Sequence, residues 1–134
     1  MFVRYINNMK YKEFFCNPIM LAEGNCRGYQ FYVISYGTHP CCYIGVPEGH
    51  RLFNKHYDTF NFECHGGLTY SGFLHHVYPK LNVNTENWYL GWDYAHFLDR
   101  TGAIEGIEWN TQDLVKEVES VVEYNLIEER EEKC

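Results

Sequence analysis

The run Tyr29-Gln30-Phe31-Tyr32-Val33-Ile34-Ser35-Tyr36 narrows the folds open to this chain more than any other stretch. β-Branched and aromatic residues dominate it, which is the composition of a pleated strand. Both of its alternating faces are largely apolar, so the strand should lie inside a sheet with something covering each side. Gly37-Thr38-His39-Pro40 then turns the chain, and Cys41-Cys42-Tyr43-Ile44-Gly45-Val46 returns as a second strand. A connection that short favours antiparallel pairing. Residues 68–73 and Trp88-Tyr89-Leu90-Gly91-Trp92-Asp93 read as further strands, and Phe60 and Phe62 alternate as a strand would. Gly91 marks a bulge or a close backbone neighbour.

The N-terminal 27 residues are less legible. Tyr11-Lys12-Glu13-Phe14-Phe15-Cys16 fits a strand or a short helix before Pro18, and Gly24-Asn25 signals a turn. From Thr111 the period changes. Leu114, Val115, Val118, Val121, Val122 and Leu126 recur at intervals of three and four, the apolar stripe of a helix, with Thr111 as its N-cap. Residues 97–110 read as a loop, and the charged tail from Glu128 carries no stripe. The expected architecture is α+β, an antiparallel β-sheet with the C-terminal α-helix packed on one face. No internal repeat divides the 134 residues, so a single domain spanning 1–134 is expected.

Charge limits the partners. The formal net charge is −7, with 8 Lys and Arg against 10 Asp and Glu in residues 1–110 and 3 against 8 in residues 111–134. Such a chain gains nothing from neutralising phosphates, which disfavours direct nucleic-acid binding. Its acidic end suits a basic protein surface instead. No segment has the length of a membrane span, and Met1-Phe2-Val3-Arg4-Tyr5-Ile6 lacks the apolar run of a signal peptide, so a soluble intracellular protein is expected. Six cysteines without an export signal read as free thiols, and no C-x-x-C pair offers a ribbon-type zinc site.

The chemistry concentrates in Glu63-Cys64-His65-Gly66-Gly67-Leu68-Thr69-Tyr70-Ser71-Gly72 and Gly91-Trp92-Asp93-Tyr94-Ala95-His96. Asp93 and His96 are three apart, which on a tight bend brings both side chains to one side. His65 arrives from another element beside two glycines. The spacing points to His65, Asp93 and His96 converging on one zinc ion, with Asp99 as a ligand or an outer acceptor. The fourth position stays open between His50, Cys64 and water, and water there would permit hydrolysis with Glu63 or Asp99 as general base. The lone spacing D-x-x-H is also common among proteins that bind no metal. Thr69-Tyr70-Ser71-Gly72 does not match a nucleophile elbow, and Gly66-Gly67 alone makes no phosphate loop.

Residues 64–71 (C-H-G-G-L-T-Y-S), 91–96 (G-W-D-Y-A-H) with Asp99, and 43–50 (Y-I-G-V-P-E-G-H) together resemble a family of small phage and prophage proteins. The likeness runs from about Gly28 to Leu126. It implies metal ligation by His50, His65, Asp93 and His96. Some small phage proteins of this kind are anti-CRISPR proteins. The resemblance therefore implies a zinc-bound α/β fold that inhibits a type II CRISPR-Cas RNA-guided nuclease in the cytoplasm of a bacterial host. Tyr94 stands where a cysteine is often found in the family pattern, which removes one thiolate from the rim of the site, and Leu98 replaces a small residue. A metal-dependent hydrolase and a metal-free accessory domain are the alternatives.

Overall fold

A computed structural model describes residues 1–6, 18–35, 39–94 and 110–127. Six strands form one sheet: β1 (Phe2–Tyr5), β2 (Ile19–Cys26), β3 (Tyr29–Ser35), β4 (Pro40–Val46), β5 (Tyr70–Gly72) and β6 (Trp88–Asp93). Their order is β1-β2-β3-β4-β6-β5 and every pairing is antiparallel. Helix α1 (Thr111–Val122) follows and packs across β2, β3 and β4, continuing into a π-helical turn at Glu123–Ile127. The α+β expectation holds.

Side-chain alternation explains why the central strands are apolar on both sides. Phe31 and Val33 of β3, Cys42, Ile44 and Val46 of β4, and Leu90 and Trp92 of β6 pack in one core with the stripe of α1. Tyr32 and Ile34, Cys41 and Tyr43, and Tyr89 face the other way and meet Leu74, Tyr78 and Val83. Two adjacent residues on a strand thus serve different cores. The second cover is a coiled segment with one 3₁₀ turn, Leu74–His76, held by Val77 N–H and Tyr78 N–H donating to the Leu74 carbonyl.

Several local expectations are corrected. Gly24-Asn25 is not a turn but the end of β2, paired with Val3 and Phe2. A Cβ on Gly24 would lie 2.1 Å from the Phe2 carbonyl oxygen, so the glycine answers to a close strand crossing. The turn comes at Arg27-Gly28, where both residues have positive φ, the signature of a tight hairpin. Phe60 and Phe62 lie outside any strand and pack against the α1-side core from a loop that follows the 3₁₀ turn Tyr57–Thr59. The strand expected over residues 68–73 shortens to β5. The helix cap is Asn110, whose side chain accepts from Asp113 N–H at 2.9 Å, so Thr111 is already helical. The segment 11–16, the loop before residue 110 and the tail from Glu128 lie outside the described residues.

Candidate functional site

The β4–β6 ladder runs from Cys41↔Asp93 at one end to Val46↔Trp88 at the other. At about 3.4 Å per residue, those ends are some ~17 Å apart. The two motifs and His50 therefore fall at opposite ends.

At the Asp93 end, the loop before β5 is shaped by glycine. Gly66 and Gly67 have φ of 68° and 82°, and Gly67 N–H donates to the Cys64 carbonyl at 3.0 Å. That turn places the His65 ring flat on Tyr94, with centroids 4.5 Å apart and planes 16° from parallel. Thr69 then locks the loop to β6 twice. Its N–H donates to the Gly91 carbonyl at 2.9 Å and its hydroxyl donates to Asp93 Oδ2 at 3.1 Å. Gly91 is required for another reason: a Cβ there would sit 2.5 Å from the Tyr43 ring.

Beneath the stack lies a buried polar chain. Trp92 Nε1–H donates to the Tyr94 hydroxyl at 3.0 Å, and the same hydroxyl is hydrogen-bonded to the Cys42 thiol. Tyr94 is 0 % exposed, so both groups are out of reach of water as an alternative partner. Burial pushes the Cys42 thiol well up, with the neighbouring Cys41 adding to the shift. Cys64 is pushed up to about 12 by burial, then by the carboxylates of Glu117 and Glu63. An activated thiol needs the opposite shift, so these cysteines are held protonated and unreactive.

A second lock joins this loop to the helix. Asn125 accepts from Glu63 N–H at 2.7 Å through Oδ1 and donates to the Glu63 carbonyl at 2.8 Å through Nδ2. Nδ2 also reaches the Val121 carbonyl at 2.9 Å. One side-chain amide thus satisfies backbone groups of two elements at once.

The expected ligands can now be placed. His65 and Asp93 share one end of the ladder, joined through Tyr94 and Thr69. His96 and Asp99 lie outside the described residues. His50 is at the other end, beyond Val46. Its Nδ1 accepts from Leu52 N–H at 3.1 Å and its Nε2 meets the Tyr29 hydroxyl at 3.1 Å, so the ring is spent on shaping its own loop. Among the described residues no group of three or more His, Cys, Asp or Glu side chains is placed to hold an ion. Of the expected ligands, only His65 and Asp93 lie at the same end of the ladder within those residues, and the Thr69 hydroxyl fixes one oxygen of the Asp93 carboxylate.

Tyr94, Cys42 and Asn125 are the structural participants that motif reading missed. Trp92 and Tyr94 are two apart at the end of a strand, and that spacing alone puts them on one face. Nothing local reveals that Cys42 meets Tyr94 or that Asn125 meets the Glu63 backbone. Comparison with family models, characterised proteins and solved structures returns no match.

Proposed function

We propose that this chain is a binding protein of the phage-inhibitor kind, which occupies a basic surface on a host-defence effector in the bacterial cytoplasm. The best-fitting effector is a type II CRISPR-Cas RNA-guided nuclease, and the resemblance of the motifs to small phage proteins is what favours it. The observation that carries the binding reading is the division of labour on α1 and its π-helical turn. Their apolar stripe is wholly used by the sheet. The remaining surface carries Asp113, Glu117, Glu119 and Glu123 against the single cation Lys116, with Tyr124 60 % exposed at its end. A protein that holds nucleic acid offers the complementary positive surface.

Zinc belongs to the same reading, as a brace at the Asp93 end held by His65, Asp93 and His96. When bound, the ion cross-links the loop before β5 to the segment after β6, and folding free energy becomes metal-dependent. The hydrolase alternative needs an activated nucleophile facing a cleft, and the protonated thiols and spent side chains at this end do not favour it.

The test is direct binding to a purified type II effector complex at low and high salt. Binding should weaken with salt, and a Glu117→Lys/Glu119→Lys/Glu123→Lys variant should lose about tenfold or more in affinity. Absence of binding, together with unchanged phage plating on cells expressing the chain, removes the inhibitor reading. For the metal, protein purified without a metal-affinity tag should carry zinc, and His65→Ala and His96→Ala should each lose it and melt earlier. Zinc content unchanged in both variants removes the ion.

A further inference from the structure

We infer that the cleft between the loop after β4 and the segment before β6 binds a small alkylated ammonium ion. The site lies at the Val46 end of the ladder, apart from the acidic helix surface and the expected zinc ligands, and rests on neither. Phe53 and Phe73 line it together with the exposed Glu48 and Glu86, around a cavity of about 520 Å³. That volume is in the range of small-molecule sites.

The first supporting observation is an aromatic corner that the cores do not absorb. The Phe53 and Phe73 rings lie 6.1 Å apart with their planes at 70°. Trp88 braces both, at 6.2 Å from Phe53 and 5.4 Å from Phe73, and its indole N–H is fixed on the Lys55 carbonyl at 3.0 Å. Phe53 and Trp88 pack against the α1-side core, whereas Phe73 sits outside both cores. Phe73 is half-buried, its carbonyl accepts from the Tyr70 hydroxyl at 2.8 Å, and its ring also meets His75 and His76 at 5.9 and 6.0 Å. A ring held in place at a cleft without filling a core is suited to receiving a cation on its face.

The second is charge without a counterion. The lining carries two carboxylates and no Lys, Arg or His. Neither Glu48 nor Glu86 takes part in the ion pairs formed among the described residues. Their backbones are nevertheless set. Glu86 N–H donates to Asn84 Oδ1 at 2.9 Å, and the Pro47 carbonyl just before Glu48 accepts from His50 N–H at 3.0 Å.

The two observations select the same chemistry. A metal ion holds its hydration shell and gains little from phenyl rings. An ammonium that carries methyl groups buries its alkyl shell on Phe53 and Phe73 while its charge meets the ring quadrupoles and the carboxylates.

The experiment follows aromatic and backbone amide signals of the whole protein during titration with tetramethylammonium and choline. Sodium and the neutral isostere of choline, in which carbon replaces the nitrogen, serve as controls at matched ionic strength. Saturable shifts confined to residues 47–53, 73 and 85–88 are expected for the two ammonium ions only. Phe73→Leu should weaken binding about tenfold. Glu48→Gln and Glu86→Gln should each weaken it several-fold, and together about tenfold, with the melting temperature unchanged. Should Phe73→Leu fail to fold, the two exposed carboxylate variants carry the test alone. Tighter binding of choline than of trimethyllysine amide assigns a free ligand, and the reverse assigns a modified side chain; the site stands in either case. No saturable shift, equal binding of the neutral isostere, or undiminished binding by Phe73→Leu or by the double glutamine variant overturns the assignment.

Discussion

The two ends of the β4–β6 ladder solve the same problem, fastening a loop to a sheet, by different means. At the Val46 end, two tight turns are stitched through one imidazole, with both ring nitrogens engaged near the surface. At the Asp93 end, the loop is fastened by ring stacking, a hydroxyl–carboxylate bond and a fully buried Trp92–Tyr94–Cys42 chain. Three of the four described cysteines (Cys41, Cys42 and Cys64) gather at this second end. Polar groups out of water cost more to leave unmatched than those at a rim. The Asp93 end should therefore be the stiffer, and the Val46 end the more readily opened.

Alkaline pH should expose the largest difference. Burial pushes the Cys41 thiol from its ordinary 9.0 to about 12. A group whose folded pKa is raised contributes stability that is complete below its unfolded pKa. That stability drains as pH rises from about 9 towards 12, because the unfolded thiol ionises first. Three pKa units correspond to about 4 kcal/mol at the upper limit. Urea unfolding at pH 8 to 11 should show stability falling with pH, and Cys41→Ala should flatten the slope. An unchanged slope would show that the thiols at this end are not the weak point.

Next comes Gly91→Ala. The new Cβ would meet a Tyr43 ring that cannot retreat, because its hydroxyl is bonded to Tyr78 and its ring abuts Tyr70 and Tyr78 at 5.9 and 5.7 Å. Overpacking of this kind costs about 3 kcal/mol. Denaturant midpoints measure it, and a loss below the error of the method would mean that the strand end is softer than its packing suggests. Tyr94→Phe keeps the ring stacked on His65 but strips the buried Trp92 Nε1–H of its acceptor. The expected cost is about 2 kcal/mol, with the indole N–H signal shifting sharply. Normal stability there would mean that the buried chain adds little to the stack.

How far sequence could see follows from the range of each signal. The central strands were legible because a period of two, apolar on both faces, is written in consecutive residues. The stripe of α1 was legible for the same reason. Gly24 was misread because a turn and a close strand crossing both select glycine, and the crossing strand, β1, lies twenty residues upstream. Phe60 and Phe62 alternate without pairing, since core contact can be made from a loop. At the candidate site, glycine and aromatic context singled out His65 and Asp93, and the structure puts both at the same end of the ladder. The separation of His50 from them was not legible, because register is a property of two strands together. His96 lies outside the described residues, so the third ligand is a matter for the zinc measurement.

The smallest effect is the one that bears most on the separation of the two ends. His50→Ala removes the acceptor of Leu52 N–H and the donor to the Tyr29 hydroxyl, both at a partly open rim that water can enter. The cost should be about 1 kcal/mol. Amide exchange should quicken at Leu52 and its neighbours while Thr69 N–H, bonded to Gly91 at the opposite end, keeps its protection. Zinc content should stay at the wild-type level, since the ring sits some ~17 Å of ladder away from Asp93. If His50→Ala instead lost zinc or freed Thr69, the ladder would be transmitting changes along its length. Its ends would then have to be treated as one site.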